Sequence, residues 1–212
     1  MRHRTWTSAA SAVLVLTAVV GLAGCGDDSD SASTSGAGHG GKDTSAAGAS
    51  APVDDHNDAD VAFASHLILH HQQAVQLSGI AGWQATSGEV KTLAQAIKTV
   101  QEPQMKVMAA WLTGWGKPVP APSHGGHAMD DSIPGMLTED ELHELGRTAG
   151  TMFDRVWIQT MIRHHQGAVT MAKAEQTNGK NPAAIALAHK VVTTQSAQIA
   201  TLKRLQGRLP VR

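Results

Sequence analysis

Two copies of a His-His-Gln triplet, 94 residues apart, constrain the fold of this chain more than any other feature. The first copy is His70-His71-Gln72 and the second is His164-His165-Gln166. Residues 60–108 align with residues 154–202 at this constant offset, without a gap and with twelve identical positions. Apolar residues recur with a helical period around both triplets, so each repeat predicts two helices joined by a turn.

The composition supports an all-α fold. Aromatic residues make up only 3% of the chain, while alanine, leucine, valine and methionine dominate its apolar 42%. A β-sandwich would contain more aromatic and β-branched residues. We therefore predict a ferritin-like four-helix bundle over residues 56–207, formed by two repeated helical hairpins. The expected helices span about 58–83, 89–112, 150–176 and 182–206, with a short helix after the capping box that begins at Thr138.

The glycine- and proline-rich segment 114–137 is the predicted linker between the hairpins. Its length allows either a crossover along the whole bundle or a loop at one end. It contains His124, His127 and Met129, which are either a loose metal-binding loop or simply solvated side chains.

The N-terminal region predicts export and lipid anchoring. A basic start, an apolar run and Leu22-Ala23-Gly24-Cys25 describe a signal peptide over residues 1–24, with Cys25 as the lipidated first residue of the mature protein. Plain secretion is the alternative. Residues 25–55 lack large apolar side chains and predict a disordered, flexible tether. Cys25 is the single cysteine, so no thiol remains for a disulfide or for catalysis.

The helical period places both histidines of each triplet toward the core. With Met161 at the centre of the core-facing side, His164 and His165 also face inward and Gly167 turns away. The His70–His71 pair has the same orientation in the first helix. Each pair lies near the middle of its helix, so the two pairs should lie at one level whether the helices are parallel or antiparallel.

This central layer is the predicted metal site, because imidazole nitrogen and thioether sulfur together suit copper, and Cu(I) especially. Zinc fits less well, since it would use the histidines without the methionines. The candidate ligands are His70, His71, His164, His165, Met161, Met171, Met105 and Met108. The glutamines expected to hold the ligand rings are Gln101, Gln104, Gln195 and Gln198. The alternative is a buried His-Gln polar layer that only specifies the register of the hairpins.

Other classes of function find little support in the chain. Lysine and arginine total 17 against 18 acidic residues, which leaves no basic surface for nucleic acid. A di-iron ferritin site needs Glu-x-x-His on core-facing helices, and this motif is missing from the predicted core. Asp60 and Asp154 lie about 15 Å along their helices from the histidines, so we expect them to act at the helix ends.

The chain also resembles the bacterial domain-of-unknown-function 305 family over about residues 56–206. The matching motifs are Asn57-Asp-Ala-Asp60, Gln101-x-x-Gln104-Met105-x-x-Met108, Gly135-Met-Leu-Thr and Asp154-x-x-Trp157-x-x-x-Met161-Ile-x-His164-His165-x-Gly-Ala168. This resemblance implies an exported, ferritin-like bundle, often a lipoprotein, and in some members a periplasmic copper-binding protein that uses methionine and histidine.

The first repeat departs from the family pattern at three positions. Leu67 and Leu77 stand where methionine is common, and Gln104 stands where an acidic residue is common. The resemblance therefore favours the second repeat as the copper site, with Met161 and Met171 beside its histidines and with Met105 and Met108 as supporting donors.

Three functions follow from these patterns. The first is a lipid-anchored protein of the cell envelope that binds copper for buffering or sequestration. The second is a non-catalytic helical structural or interaction module, whose protein partners the sequence does not identify. The third function is that of a metal-dependent oxidoreductase. It has the least support, because no catalytic residue stands out in the sequence.

Overall fold

A computed structural model of the protein describes residues 55–121 and 133–209. Its described part contains five helices and no strand, which confirms the all-α prediction. The helices are α1 (Asp58–Gln84), α2 (Gly88–Gly114), α3 (Glu139–Arg147), α4 (Gly150–Asn178) and α5 (Pro182–Arg208). The predicted signal peptide, Cys25, the predicted tether up to residue 54 and the segment from His124 to Met129 lie outside the described residues.

The predicted helix ends coincide with local capping signals. Asn57 forms a capping box with Asp60 at the start of α1, and Thr138 forms another with Glu141 at the start of α3. Asn181 caps α5 through its side chain and is followed by proline at the first helical position. Within the two described ranges, no helix combines the length and apolar character that crossing a bilayer requires.

Helices α1 and α4 form the centre of the bundle and run antiparallel. Helix α2 packs along α1 and α5 packs along α4, which confirms the two predicted hairpins. Asp60 near the start of α1 contacts residues 180 and 181 after the end of α4, and Asp154 near the start of α4 contacts residues 86 and 87 after the end of α1. Because α2 and α4 therefore run in the same direction, the end of α2 and the start of α4 lie at opposite ends of the bundle, as in ferritin-like folds.

Each aspartate holds the hairpin turn of the other repeat. Asp60 accepts hydrogen bonds from the backbone N–H groups of Lys180 and Asn181, and from that of Asn57 in its own cap. Burial alone would raise the pKa of Asp60, but these N–H groups and the neighbouring Glu175 carboxyl group hold it below its usual value. Asp154 likewise accepts from the backbone of Thr86 and Ser87 and from the Thr86 hydroxyl. The aspartates therefore join the two hairpins at both ends of the bundle.

Replacing Asp154 with asparagine should lower the free energy of unfolding by about 1–3 kcal/mol, because buried backbone donors lose a charged acceptor. Urea denaturation of the metal-free domain measures the effect. Asp140→Asn is the control, since Asp140 is exposed in the first turn of α3 and should change stability by no more than about 0.5 kcal/mol. Equal stability of the two variants would contradict the joining role of Asp154.

The histidine layer divides the apolar core into two clusters. One cluster lies toward the α1–α2 turn and contains Leu77, Trp157 and Met161; the other lies toward the α4–α5 turn and contains Phe63, Leu67 and Met108. The indole N–H of Trp157 donates to the carbonyl oxygen of Leu77, which pairs α4 with α1 beside the layer. Both clusters are apolar and buried, so the polar layer lies in the middle of an otherwise apolar core.

The end of the linker forms part of this core. Ile133 and Leu137 are buried, and the backbone of Pro134 lies directly against Gly167 of α4. The prediction that Gly167 turns away from the core was therefore wrong, because residues 133–137 fold over that side of α4. We call residues 133–137 the cover segment.

Candidate metal centre

His70 and His164 meet at the centre of the layer, where α1 and α4 cross. Both side chains are fully buried, and their ring centroids are 3.7 Å apart at an interplanar angle of 35°. The antiparallel packing of two equal repeats explains this meeting, since it brings the middle of one helix against the middle of the other. His71 and His165 are also fully buried and lie on the outer sides of the pair, toward α2 and α5.

The outer histidines make equivalent hydrogen bonds in the two repeats. His71 Nε2 lies 2.9 Å from Gln104 Oε1, and His165 Nε2 lies 2.8 Å from Gln198 Oε1. An amide oxygen only accepts, so both rings carry their proton on Nε2 and present a lone pair at Nδ1. The contacts to glutamine thus set the tautomer that leaves Nδ1 available to a ligand.

The cover segment closes the layer on one side. His70 Nε2 lies 3.2 Å from the carbonyl oxygen of Pro134, which accepts a hydrogen bond from the Nε2–H group. Gln73 holds the same segment through two hydrogen bonds, donating to the carbonyl oxygen of Leu137 at 2.9 Å and accepting from its N–H at 2.8 Å. Sequence reasoning missed this role of Gln73, although Gln73 and Gly167 occupy equivalent positions of the repeat and both contact the segment.

All four imidazoles are neutral at physiological pH. Burial lowers the pKa of His71 and of His165 to about 4, even though their glutamine partners favour the charged form. Burial and the neighbouring histidines lower the pKa of His70 and His164 well below the usual value. Neutral imidazole is the form that binds metal, so the layer needs to lose no proton before it can act as a ligand set.

Several buried ring nitrogens have no hydrogen-bond partner among the residues that the structure describes. These atoms are Nδ1 of His70, His71 and His165, and both ring nitrogens of His164. In the ranges 55–121 and 133–209, however, no three histidine, cysteine or acidic side chains are arranged to hold one ion. A metal in this layer would therefore use thioether or amide donors beside imidazole.

The predicted methionine ligands lie on both sides of the layer. Met161 is fully buried one helical turn before His164, while Met108 is fully buried in the opposite cluster and Met105 packs at its edge. Met171 lies about 10 Å along α4 from His164, partly buried at the surface, so the structure does not bring it to the layer. Met161 is the thioether whose sequence position is nearest to the histidines.

The remaining two predicted glutamines are buried near the layer but do not bond the rings. Gln101 is 1% exposed, and within the described residues neither side-chain polar atom has a hydrogen-bond partner. Gln195 occupies the equivalent place in α5, is 3% exposed, and has an unpartnered amide oxygen in the same described region. Gln101 and Gln195 thus lie three residues before the glutamines that contact the histidine rings, and each keeps at least one buried polar atom to which no described residue forms a hydrogen bond.

The fold and this layer define a class of protein, a helical bundle of two repeated hairpins centred on paired buried histidines. The profile of the family described as Domain of unknown function (DUF305) matches residues 60–206, and the chain belongs to this family. The resemblance inferred from the motifs is thereby confirmed. A comparison with curated proteins finds no match.

Solved structures share this fold. A DUF305 fragment from Deinococcus radiodurans is 32% identical with a TM-score of 0.65, over 73% of this chain and 99% of that chain. A protein from Streptomyces coelicolor, described as a secreted DUF305 protein, is 31% identical with a TM-score of 0.63, over 73% and 97%. CopM in its Cu(II)-bound form is 34% identical with a TM-score of 0.58, over 70% and 95%, and CopM is also known in Cu(I)- and Ag-bound forms.

Proposed function

We propose that this domain binds copper, with Cu(I) as the preferred ion, and buffers or sequesters it outside the cytoplasm. The observation that carries the proposal is the set of buried, neutral imidazoles whose Nδ1 atoms have no partner among the described residues. Buried polar atoms are nearly always hydrogen-bonded, and a site that leaves several lone pairs without a partner fits a ligand better than a purely structural layer.

The donor types favour a soft ion. Imidazole together with the thioether of Met161 suits Cu(I), which also accepts lower coordination numbers than zinc. This preference agrees with the lack of any three-residue group of histidine, cysteine or acidic ligands in the described ranges. The copper- and silver-bound forms of the similar protein CopM support the same class of ion.

The cellular location forms part of the proposal. The signal peptide and Cys25 would place the mature protein at the outer face of the cell membrane, attached by lipid. The similar protein of Streptomyces coelicolor that is described as secreted supports export. Copper would reach such a domain from the extracytoplasmic side.

A structural role is the second candidate, and the hydrogen bonds of Gln104 and Gln198 to the outer histidines favour it. A polar layer that is paired in this way fixes the register of two hairpins without any metal. The two roles differ in what they require of Nδ1, because only metal binding uses its lone pair.

The double variant His71→Gln/His165→Gln separates these roles. Glutamine can still offer an N–H to Gln104 and Gln198, but it lacks the Nδ1 lone pair of the imidazole ring. We expect the variant to fold and to bind Cu(I) at least about tenfold more weakly. Titration with Cu(I) against a competing chelator measures the affinity.

Gln104→Leu/Gln198→Leu is the matched control, because it removes the hydrogen bonds and keeps all four imidazoles. It should lose stability and, because the Nδ1 lone pairs remain, should lose less Cu(I) affinity than the histidine variant in the same titration. If the histidine variant bound Cu(I) as tightly as the unchanged domain, the copper function of the layer would be refuted and the structural role would remain.

A further inference from the structure

A surface groove between α1 and α4 contains three metal-binding side chains that the histidine layer does not use. It lies at the end of the bundle near the α4–α5 turn and has a volume of about 160 Å³. The groove is lined by His66 of α1 and by Met171 and Glu175 of α4, and the other lining residues are Ala59, Ala62, Phe63, Ala174 and Asn178. Most of these are small or apolar, so the three donors supply the chemistry of the groove.

Glu175 is the most unusual of the three. Its side chain is 2% exposed, and within the described part of the chain neither carboxyl oxygen accepts a hydrogen bond. Burial raises the pKa of Glu175 to about 8, and the hydrogen bond and the charge of the neighbouring Asp60 carboxyl group add to this shift. Near neutral pH Glu175 therefore carries a proton, which a bound cation would replace. A buried carboxyl group that faces another one is stabilised by a proton or by a cation.

The position along α4 also favours a cation. Glu175 belongs to the last turn of α4, where the free carbonyl groups of the helix end carry partial negative charge. Gly179 lies against the Glu175 carboxyl so closely that a Cβ atom would be 2.3 Å from Oε1. The chain thus leaves room for this carboxyl group beside the turn.

The internal repeat shows that the donors are not a by-product of duplication. In the other repeat, the positions equivalent to His66, Met171 and Glu175 are occupied by Thr160, Leu77 and Ala81. Leu77 and Ala81 have no side-chain atom that can bind a metal. The equivalent groove at the other end of the bundle lies next to α3, where Leu145 packs in the same cluster as Leu77 and Ala81. The three donors therefore occur together only in the groove near the α4–α5 turn, which no described residue covers in the way that Leu145 of α3 packs at the other end.

We propose that His66, Met171 and Glu175 form a second Cu(I) site, open to solvent and separate from the buried histidine layer. Imidazole and thioether supply one nitrogen and one sulfur ligand, and Glu175 supplies one oxygen ligand after it releases its proton to solvent. The thioether favours Cu(I) over zinc. The choice of ion rests on the proposed copper function. The site itself rests on the groove, so each of the two can fail alone.

The test counts the Cu(I) ions bound by the full domain, titrated against a competing chelator. His66→Ala/Met171→Leu should bind one ion fewer than the unchanged domain and should fold normally, because neither side chain is fully buried. The control His189→Ala/Met152→Leu removes one exposed histidine and one exposed methionine elsewhere and should keep every ion. Unchanged stoichiometry and affinity in the groove variant would overturn the proposal.

Two further measurements separate this site from the layer. The layer variant His71→Gln/His165→Gln should retain the groove ion, whose X-ray absorption spectrum should show a copper–sulfur contribution that Met171→Leu abolishes. Glu175→Gln should weaken this ion roughly tenfold or more while keeping the shape of the side chain. If the layer variant alone lost copper and the groove variant lost none, the groove site would be refuted and the layer would stand.

Discussion

Gly167→Ala is expected to lower the free energy of unfolding by about 3 kcal/mol or more. A Cβ atom at this position would lie 1.8 Å from the carbonyl oxygen of Pro134 and 2.9 Å from the Cα atom of Gly135. Both are backbone atoms, so no side-chain rotation relieves the overlap. The cover segment would have to leave α4, which would expose His70 and Leu137 to water. Urea denaturation and the protection of His70 from chemical modification measure both consequences.

Gly82→Ala is the matched control for this substitution. Gly82 also lies inside a helix, but no atom comes within 4 Å of a Cβ built there. Alanine should therefore stabilise the domain by about 0.5–1 kcal/mol through its better helix propensity. If Gly167→Ala behaved like Gly82→Ala, the cover segment would not rest on α4.

Acidification of the metal-free domain should remove several kcal/mol of stability between about pH 6.5 and pH 4. The pKa of His71 and of His165 falls from about 6.5 in the unfolded chain to about 4 in the folded one. In this interval the unfolded state binds more protons, so stability is complete above pH 6.5 and is lost as the pH falls. Each of these histidines contributes about 1.4 kcal/mol per pH unit. Thermal denaturation at a series of pH values measures the slope.

Two variants identify the source of this slope. His71→Gln/His165→Gln should flatten it, whereas His189→Ala should follow the unchanged domain, because His189 is exposed on α5. Glu175 acts in the opposite direction: its raised pKa, about 8, makes its contribution less favourable as the pH rises above the unfolded value. Glu175→Gln should therefore steepen the net loss on acidification. A slope unaffected by the loss of His71 and His165 would show that other groups control the acid response.

Much of the layer was predictable from the sequence because helical geometry is regular. The period of 3.6 residues places both histidines of each pair inward, and the constant offset of 94 residues makes the two pairs equivalent. Two of the four glutamines predicted to contact the histidine rings, Gln104 and Gln198, form these hydrogen bonds in the structure. The same geometry kept Asp60 and Asp154 at the helix ends.

The relative direction of neighbouring helices lies outside this regularity. Local periodicity gives the orientation of a side chain on its own helix, but not the direction of the neighbouring helix. The contacts of Asp60 and Asp154 with the opposite hairpin turns define the antiparallel packing of α1 and α4. It is this packing that stacks His70 on His164.

The contacts of the cover segment and of the groove also could not be predicted from helical periodicity. The repeat, the helices and the level of the histidine pairs follow from residue spacing, because they depend on positions within one helix or hairpin. Only the tertiary structure placed Pro134 on Gly167, and Met171 beside His66 and Glu175 instead of in the layer. These contacts join irregular or distant parts of the chain through close packing of atoms, and no periodic pattern encodes such packing.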